Sequence, residues 1–203
     1  MTTILECTQT TDKIKTWTYD DYARLPENGA AELNTHISYQ LIEGELIVSP
    51  APSFWHQDIV MRLSAALYNH VMANDLGYVA TAPVDVVLSP TDTPQPDIVF
   101  IAQERRSIIT DANIQGAPDL VVEIVSPTSD RRDRQTKFAL YARFGVAHYW
   151  IVDPRLRLLD EYSCSGNTYE TVREWRSDEV FTPRLFPELT MPLNEVFPAH
   201  ATT

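Results

Sequence analysis

Two acidic residues stand where acids are costly. In "QPDIVFI", Asp97 opens a run of Ile98, Val99, Phe100 and Ile101; in "PDLVVEIVSP", Glu123 sits between Val122 and Ile124. Both runs read as short central strands, apolar on both faces. In an extended chain Asp119, Val121, Glu123 and Val125 share one face, so Glu123 starts inside a helix-covered sheet. An ionised carboxylate there is unfavourable unless a cation or hydrogen-bond donors compensate. If the two strands are neighbours, Asp97 and Glu123 face one point, and without a cation they repel until one protonates. A divalent metal removes the conflict, and carboxylates with water are ligands that Mg²⁺ accepts. The plainer readings are that Asp97 caps its own loop and that Glu123 pairs with a buried Arg.

The next segment, "SDRRDRQTKFALYARFG", reads as a helix from about Asp130 to Phe144, stopped by Gly145 as a left-handed C-cap. Lys137, Leu140, Tyr141 and Phe144 follow an i, i+3, i+4, i+7 pattern and share a face. That face is apolar except for the Lys137 amine and the Tyr141 phenol. Lys137 lies toward the end nearer Glu123, where it can reach over the strand, or it can snorkel outwards. Arg131, Arg132 and Arg134 form a solvated face; beside a metal they would neutralise a phosphate backbone. Asp119 and Asp133 read as structural residues, at a strand start and in a helix first turn. Asp85, in "PVDVVLSP", is as misplaced as Glu123 and is held in reserve.

The elements that must position these residues follow from local patterns. "TWTYDDYARLP" is a short helix with Thr18 as its cap and Pro26 as its stop, and "SYQLIEGELIVSP" is a hairpin turning at Glu43-Gly44. Ile59, Leu63, Leu67 and Val71 recur every four residues in an amphipathic helix. "GYVATAPVDVVLSP" is a strand that Pro83 makes irregular or places at an edge. "AHYWIVDP" is a further strand, "LRLLDEYSCSGNTYETVREW" a hairpin turning near Ser165-Gly166-Asn167, and "LFPELTMPLNEVF" a tail packed on the domain. This order predicts an α+β or α/β domain on one mixed sheet.

With 203 residues and 44% hydrophobic residues, the chain can bury a substantial core. The expectation is a flexible arm over residues 1–16 and one domain over 17–203. A net charge of −12 argues against coating nucleic acid by bulk electrostatics, although a local basic groove remains compatible with it. No run approaches a membrane span and the N-terminus lacks a signal-peptide core, which predicts a soluble, cytoplasmic protein. Cys7 and Cys164 are read as free thiols. The pattern contains no G-x-S-x-G, HExxH or P-loop, and the histidines lack zinc-ligand spacing.

The combined segments "QPDIVFI" and "GAPDLVVEIVSPTSDRRDRQTKFALYARFGVAHYWIVDP", with "YQLIEGELIVSPAPSFWHQDIVMRLSAAL" upstream, resemble a large bacterial family of restriction-endonuclease-like proteins in the PD-(D/E)XK nuclease superfamily. The resemblance covers about residues 17–197. It implies a restriction-endonuclease-like fold, a mixed central sheet flanked by helices, and a divalent metal, Mg²⁺ with Mn²⁺ as a substitute. Pro96-Asp97 matches the PD element and Glu123-Ile124-Val125 the (D/E)XK element. Val125 departs from the pattern at the Lys position, and Lys137 on the following helix is the natural replacement. By this resemblance Asp97 and Glu123 are metal ligands, Asp97, Glu123 and Lys137 are catalytic, and Glu45, His56 and Tyr141 are accessory candidates. The implied activity is metal-dependent hydrolysis of phosphodiester bonds in DNA; because cutting two strands usually takes two sites, a homodimer is expected, with no membrane partner. The alternative is an inactive nuclease-fold binding or regulatory module.

Overall fold

The computed structural model describes residues 16–25, 37–127 and 129–197. Of the expected arm, residues 1–15 lie outside them, as does Cys7. Thr18 caps α1 (Tyr19–Tyr22): its hydroxyl accepts the Asp21 N–H while the Asp21 carboxylate accepts the Thr18 N–H, a capping box. β1 (Ile37–Ile42) folds onto β2 (Glu45–Pro50) through Glu43 and Gly44, both at positive φ (53° and 75°), as a two-residue hairpin turn requires. α2 (Phe54–Ala73), capped by Ser53, buries Ile59, Val60, Leu63, Leu67 and Val71.

The strand expected after α2 divides in two. β3 (Gly77–Thr81) joins the main sheet; beyond Pro83 the chain leaves it, and β4 (Val86–Val87) pairs in parallel with β6 (Ile114–Gln115). A proline cannot donate to a ladder, so the sheet edge ends before it. β5 (Ile98–Ala102), β7 (Leu120–Ile124), β8 (His148–Asp153), β9 (Leu158–Ser165) and β10 (Thr168–Arg176) complete six strands in the order β10-β9-β8-β7-β5-β3. β7 and β8 are parallel and the other neighbours antiparallel, so the sheet is mixed and β5 and β7 are internal, as the apolar runs predict.

One face of the sheet packs Ile98, Phe100, Leu120, Val122 and Ile124 against α2. The tail closes that layer through β11 (Val180–Phe181), β12 (Met191–Pro192) and α4 (Leu193–Val196). The other face packs Val99, Ile101, Val121, Val125, Tyr149 and Ile151 against Tyr141 and Ala142 of α3 (Phe138–Arg143). The helix expected over 130–144 is not uniform: Arg132–Lys137 form π-helical turns before α3 resumes the ordinary pitch. Lys137, Leu140 and Tyr141 are all buried, because α-helical spacing holds from the end of the π segment onward; Phe144 is only half-buried. No described helix is long and apolar enough to cross a membrane.

The β3–β5 pairing starts at Gly77, whose φ is +147°. A Cβ at this position would overlap the Ile101 carbonyl oxygen and fall 2.9 Å from the Gln103 nitrogen, both rigid main-chain atoms. Gly77→Ala is therefore expected to destabilise the fold by about 2–3 kcal/mol, measured by urea unfolding, because strained φ and backbone displacement act together.

Candidate active site

Glu123 is 3% exposed in the middle of β7. Its Oε1 accepts two hydrogen bonds, from Lys137 Nζ at 2.8 Å and from the Tyr141 hydroxyl at 2.8 Å. The ammonium also lies 3.3 Å from Asp133 Oδ1, a charge contact without hydrogen-bond geometry. Burial pushes the Glu123 carboxyl up to about 8; Lys137 opposes the shift, and the like charges of Asp133 and Asp97 add to it. For Lys137, burial acts to lower the pKa, but Glu123 and Asp133 outweigh it and hold the pKa above the ordinary lysine value. The amine is thus a fixed cation at neutral pH. Burial and Glu123 likewise keep the Tyr141 phenol protonated as a donor.

Asp97 precedes β5. Ile98 stands opposite Val122, so one further step of the antiparallel register sets Asp97 opposite Glu123, on the face that carries Val99 and Val121. Asp97 Oδ2 accepts the Ile124 N–H at 2.7 Å and lies 3.3 Å from His56 Nε2, at the start of α2. Burial tends to lower the His56 pKa, yet the Asp97 carboxylate raises it above the usual value. The two acids thus have a common feature: one oxygen is fixed by donors while Asp97 Oδ1 and Glu123 Oε2 accept no hydrogen bond from a described residue. Among the described residues, no three His, Cys, Asp or Glu side chains converge as a metal cluster. Two carboxylate oxygens completed by main chain and water would be donors of the kind a hard divalent cation such as Mg²⁺ accepts.

A family model described as "Uma2: Putative restriction endonuclease" matches residues 19–194. The chain belongs to this family. Among solved structures, the chain is similar to one from Anabaena variabilis ATCC 29413 described as "a putative nuclease belonging to DUF820". The TM-score is 0.71 and the identity 21%, over 89% of this chain and 97% of that one, which speaks to the fold. No curated protein matches the chain.

Within this Uma2-family fold the other sequence candidates separate. Arg134 is occupied: its guanidinium contacts Asp130 at 2.8 Å, Asp160 at 2.7 Å and Asp153 at 3.3 Å. It ties the helix start to β8 and β9. Arg131 is exposed, with Nε 3.3 Å from Gln135, and Arg132 is half-buried. Glu45 is exposed in the β1–β2 hairpin and makes no hydrogen bond or ion pair with Asp97, Glu123 or Lys137. Asp119 receives Arg105 and the Ala102 N–H, a structural role as expected. Asp85 binds the Tyr22 hydroxyl at 2.7 Å and Gln95 at 2.8 Å, holding α1 to the body. Asp133 is the residue that sequence reasoning undervalued. It is 2% exposed beside Lys137, and its position four residues before Lys137 was the available signal.

Breaking the buried pair has a signed consequence. Lys137→Met removes the cation that opposes the Glu123 shift, so the carboxyl stays protonated to still higher pH, and loss of the buried hydrogen bond is expected to cost about 1–3 kcal/mol. Because the folded-state pKa of Glu123 is raised, the folded protein holds a proton that the unfolded chain releases near 4.5. Stability therefore falls as pH rises from about 4.5 to about 8. Urea unfolding across that range should show this slope in the wild type, extending to higher pH in Lys137→Met and flattened in Glu123→Gln.

Proposed function

We propose that this protein is a metal-dependent endonuclease that hydrolyses phosphodiester bonds in DNA, acting from a single domain over residues 17–203. What supports the reading is that the Asp97 carboxylate, just before β5, accepts the Ile124 N–H of neighbouring β7 at 2.7 Å, while Glu123 of that strand meets the buried Lys137 ammonium at 2.8 Å. Asp97 and Glu123 would hold Mg²⁺, with the Ile124 carbonyl as a further ligand. When bound, such an ion lowers the pKa of coordinated water and polarises a phosphoryl oxygen.

The chain's own residues do the rest. The Ile124 N–H and His56 orient the Asp97 carboxylate, and Tyr141 and Lys137 orient Glu123, so neither acid must reorganise when substrate arrives. Lys137 remains protonated, so its role is to position water and to stabilise charge developing on the phosphorane, not to accept a proton. It supplies from the helix the amine that Val125 does not, and this favours an active enzyme over an inactive binding module. Arg131 and Arg132 remain candidates for phosphate contacts near the helix start.

Asp97→Ala and Glu123→Ala should each abolish Mg²⁺-dependent nicking of supercoiled plasmid. Both should also weaken Mn²⁺ binding by calorimetry at least tenfold, a readout independent of turnover. Lys137→Gln should retain Mn²⁺ binding and reduce nicking by about 10²–10³-fold, the usual effect of losing one preorganised donor. Metal binding without strand scission by the wild type would favour the binding-module reading.

A further inference from the structure

We propose that the outer face of α2 is a self-association surface, which pairs antiparallel with α2 of a second copy. The inference does not depend on the nuclease reading. Phe54, Met61, Tyr68 and Met72 are 73%, 67%, 49% and 54% exposed, an unusual row of large apolar side chains on one helix. With Asp58 and Ala65 they stand at positions 54, 58, 61, 65, 68 and 72, the alternating four- and three-residue steps of a coiled-coil seam. At 100° per residue this row lies opposite the buried stripe of Ile59, Leu63, Leu67 and Val71.

The row is complementary to its own reverse. A two-fold axis at the level of Leu63 sets Phe54 against Met72, Asp58 against Tyr68 and Met61 against Ala65 of the second copy. The first layer joins a ring to a thioether and the third a large side chain to a small one, both favourable packings. In the middle layer the Tyr68 hydroxyl can donate to Asp58 Oδ1, which accepts no hydrogen bond from a described residue; Oδ2 is held by Arg62 Nε at 2.9 Å. At roughly 200 Å² per large side chain, the exposed fractions of the four apolar residues give about 500 Å² a copy. The pair would thus bury about 1,000 Å² before its flanks are counted, the lower bound of a specific interface.

Charge points to the same occupant. The chain carries a net charge of −12, so most faces of two copies repel. Among Asp, Glu, Lys and Arg, α2 contains only Asp58 and Arg62, which neutralise each other. A second copy can therefore approach here without like-charge opposition. The two-fold would place one candidate active site toward each end of the helix pair, because His56 lies near the N-terminus of α2.

The test uses the full chain. Sedimentation equilibrium should give a dimer in the wild type, and Met61→Glu should raise the dimer dissociation constant at least 30-fold without changing the melting curve. In a Cys7→Ser, Cys164→Ser background, the double variant F54C/M72C should form a disulfide-linked dimer on mild oxidation. Neither single variant should, since like positions would lie about 27 Å apart along the antiparallel pair. A wild type that stays monomeric overturns the proposal, as does cross-linking of F54C alone, which would mean parallel helices. A monomer that dimerises only after removal of residues 1–15 would show that the chain's own segment covers this face, and also overturns it.

Discussion

The site is organised by one buried contact, the Lys137 ammonium against the Glu123 carboxyl. Each partner is 3% exposed, so both have lost nearly all contact with water, a large desolvation cost that only close contact and further hydrogen bonds offset. The compensation is local and visible. Glu123 Oε1 takes two donors, and the ammonium meets a second carboxylate at Asp133. Three acids around one buried cation leave the cluster short of positive charge. That shortage raises the Glu123 pKa, and it is the condition a divalent cation would relieve.

Holding Lys137 in place requires that the helix bearing it cannot slide along the sheet. Arg134 meets this need by binding Asp153 at the end of β8 and Asp160 on β9 while also pairing with Asp130 in its own helix. The Tyr149 hydroxyl adds a bond to the Asp133 carbonyl from within the sheet. Both anchors lie within the π turns over Arg132–Lys137, where the ordinary i to i−4 ladder is interrupted. The positive charge that follows the strand in sequence is thus divided in function. One arginine fastens, one lysine compensates the buried acid, and Arg131 faces solvent.

Much of this was legible in the sequence because it rests on short-range rules. Alternation and apolar runs placed β5 and β7 inside the sheet, the helix cap at Thr18 and the turn at Glu43-Gly44 were readable directly, and Gly145 marked the helix end. The misfit of Glu123 with its surroundings pointed to a partner, and a helical count put Lys137 on the inward face. Less legible features depend on long-range geometry. Locally only Asp130, four residues back, marks Arg134; the other two acids that hold it come from strands 19 and 26 residues away. The π segment has no periodicity signature, and Asp133 looked like a routine first-turn acid because its burial is decided by the sheet beneath it. His56 became meaningful only once α2 and β5 were seen to end at the same point.

α2 links these observations physically. Its N-terminus delivers His56 to Asp97, its inner stripe builds the core layer behind β5 and β7, and its outer stripe is apolar although it faces solvent. A helix that served only the core would carry polar residues on that outer face, since solvated groups there cost nothing in packing. Two apolar stripes on opposite sides instead describe a helix with two neighbours, of which the chain's own sheet is one. One 20-residue helix thus carries both His56 at its N-terminus and the apolar outer stripe along its length.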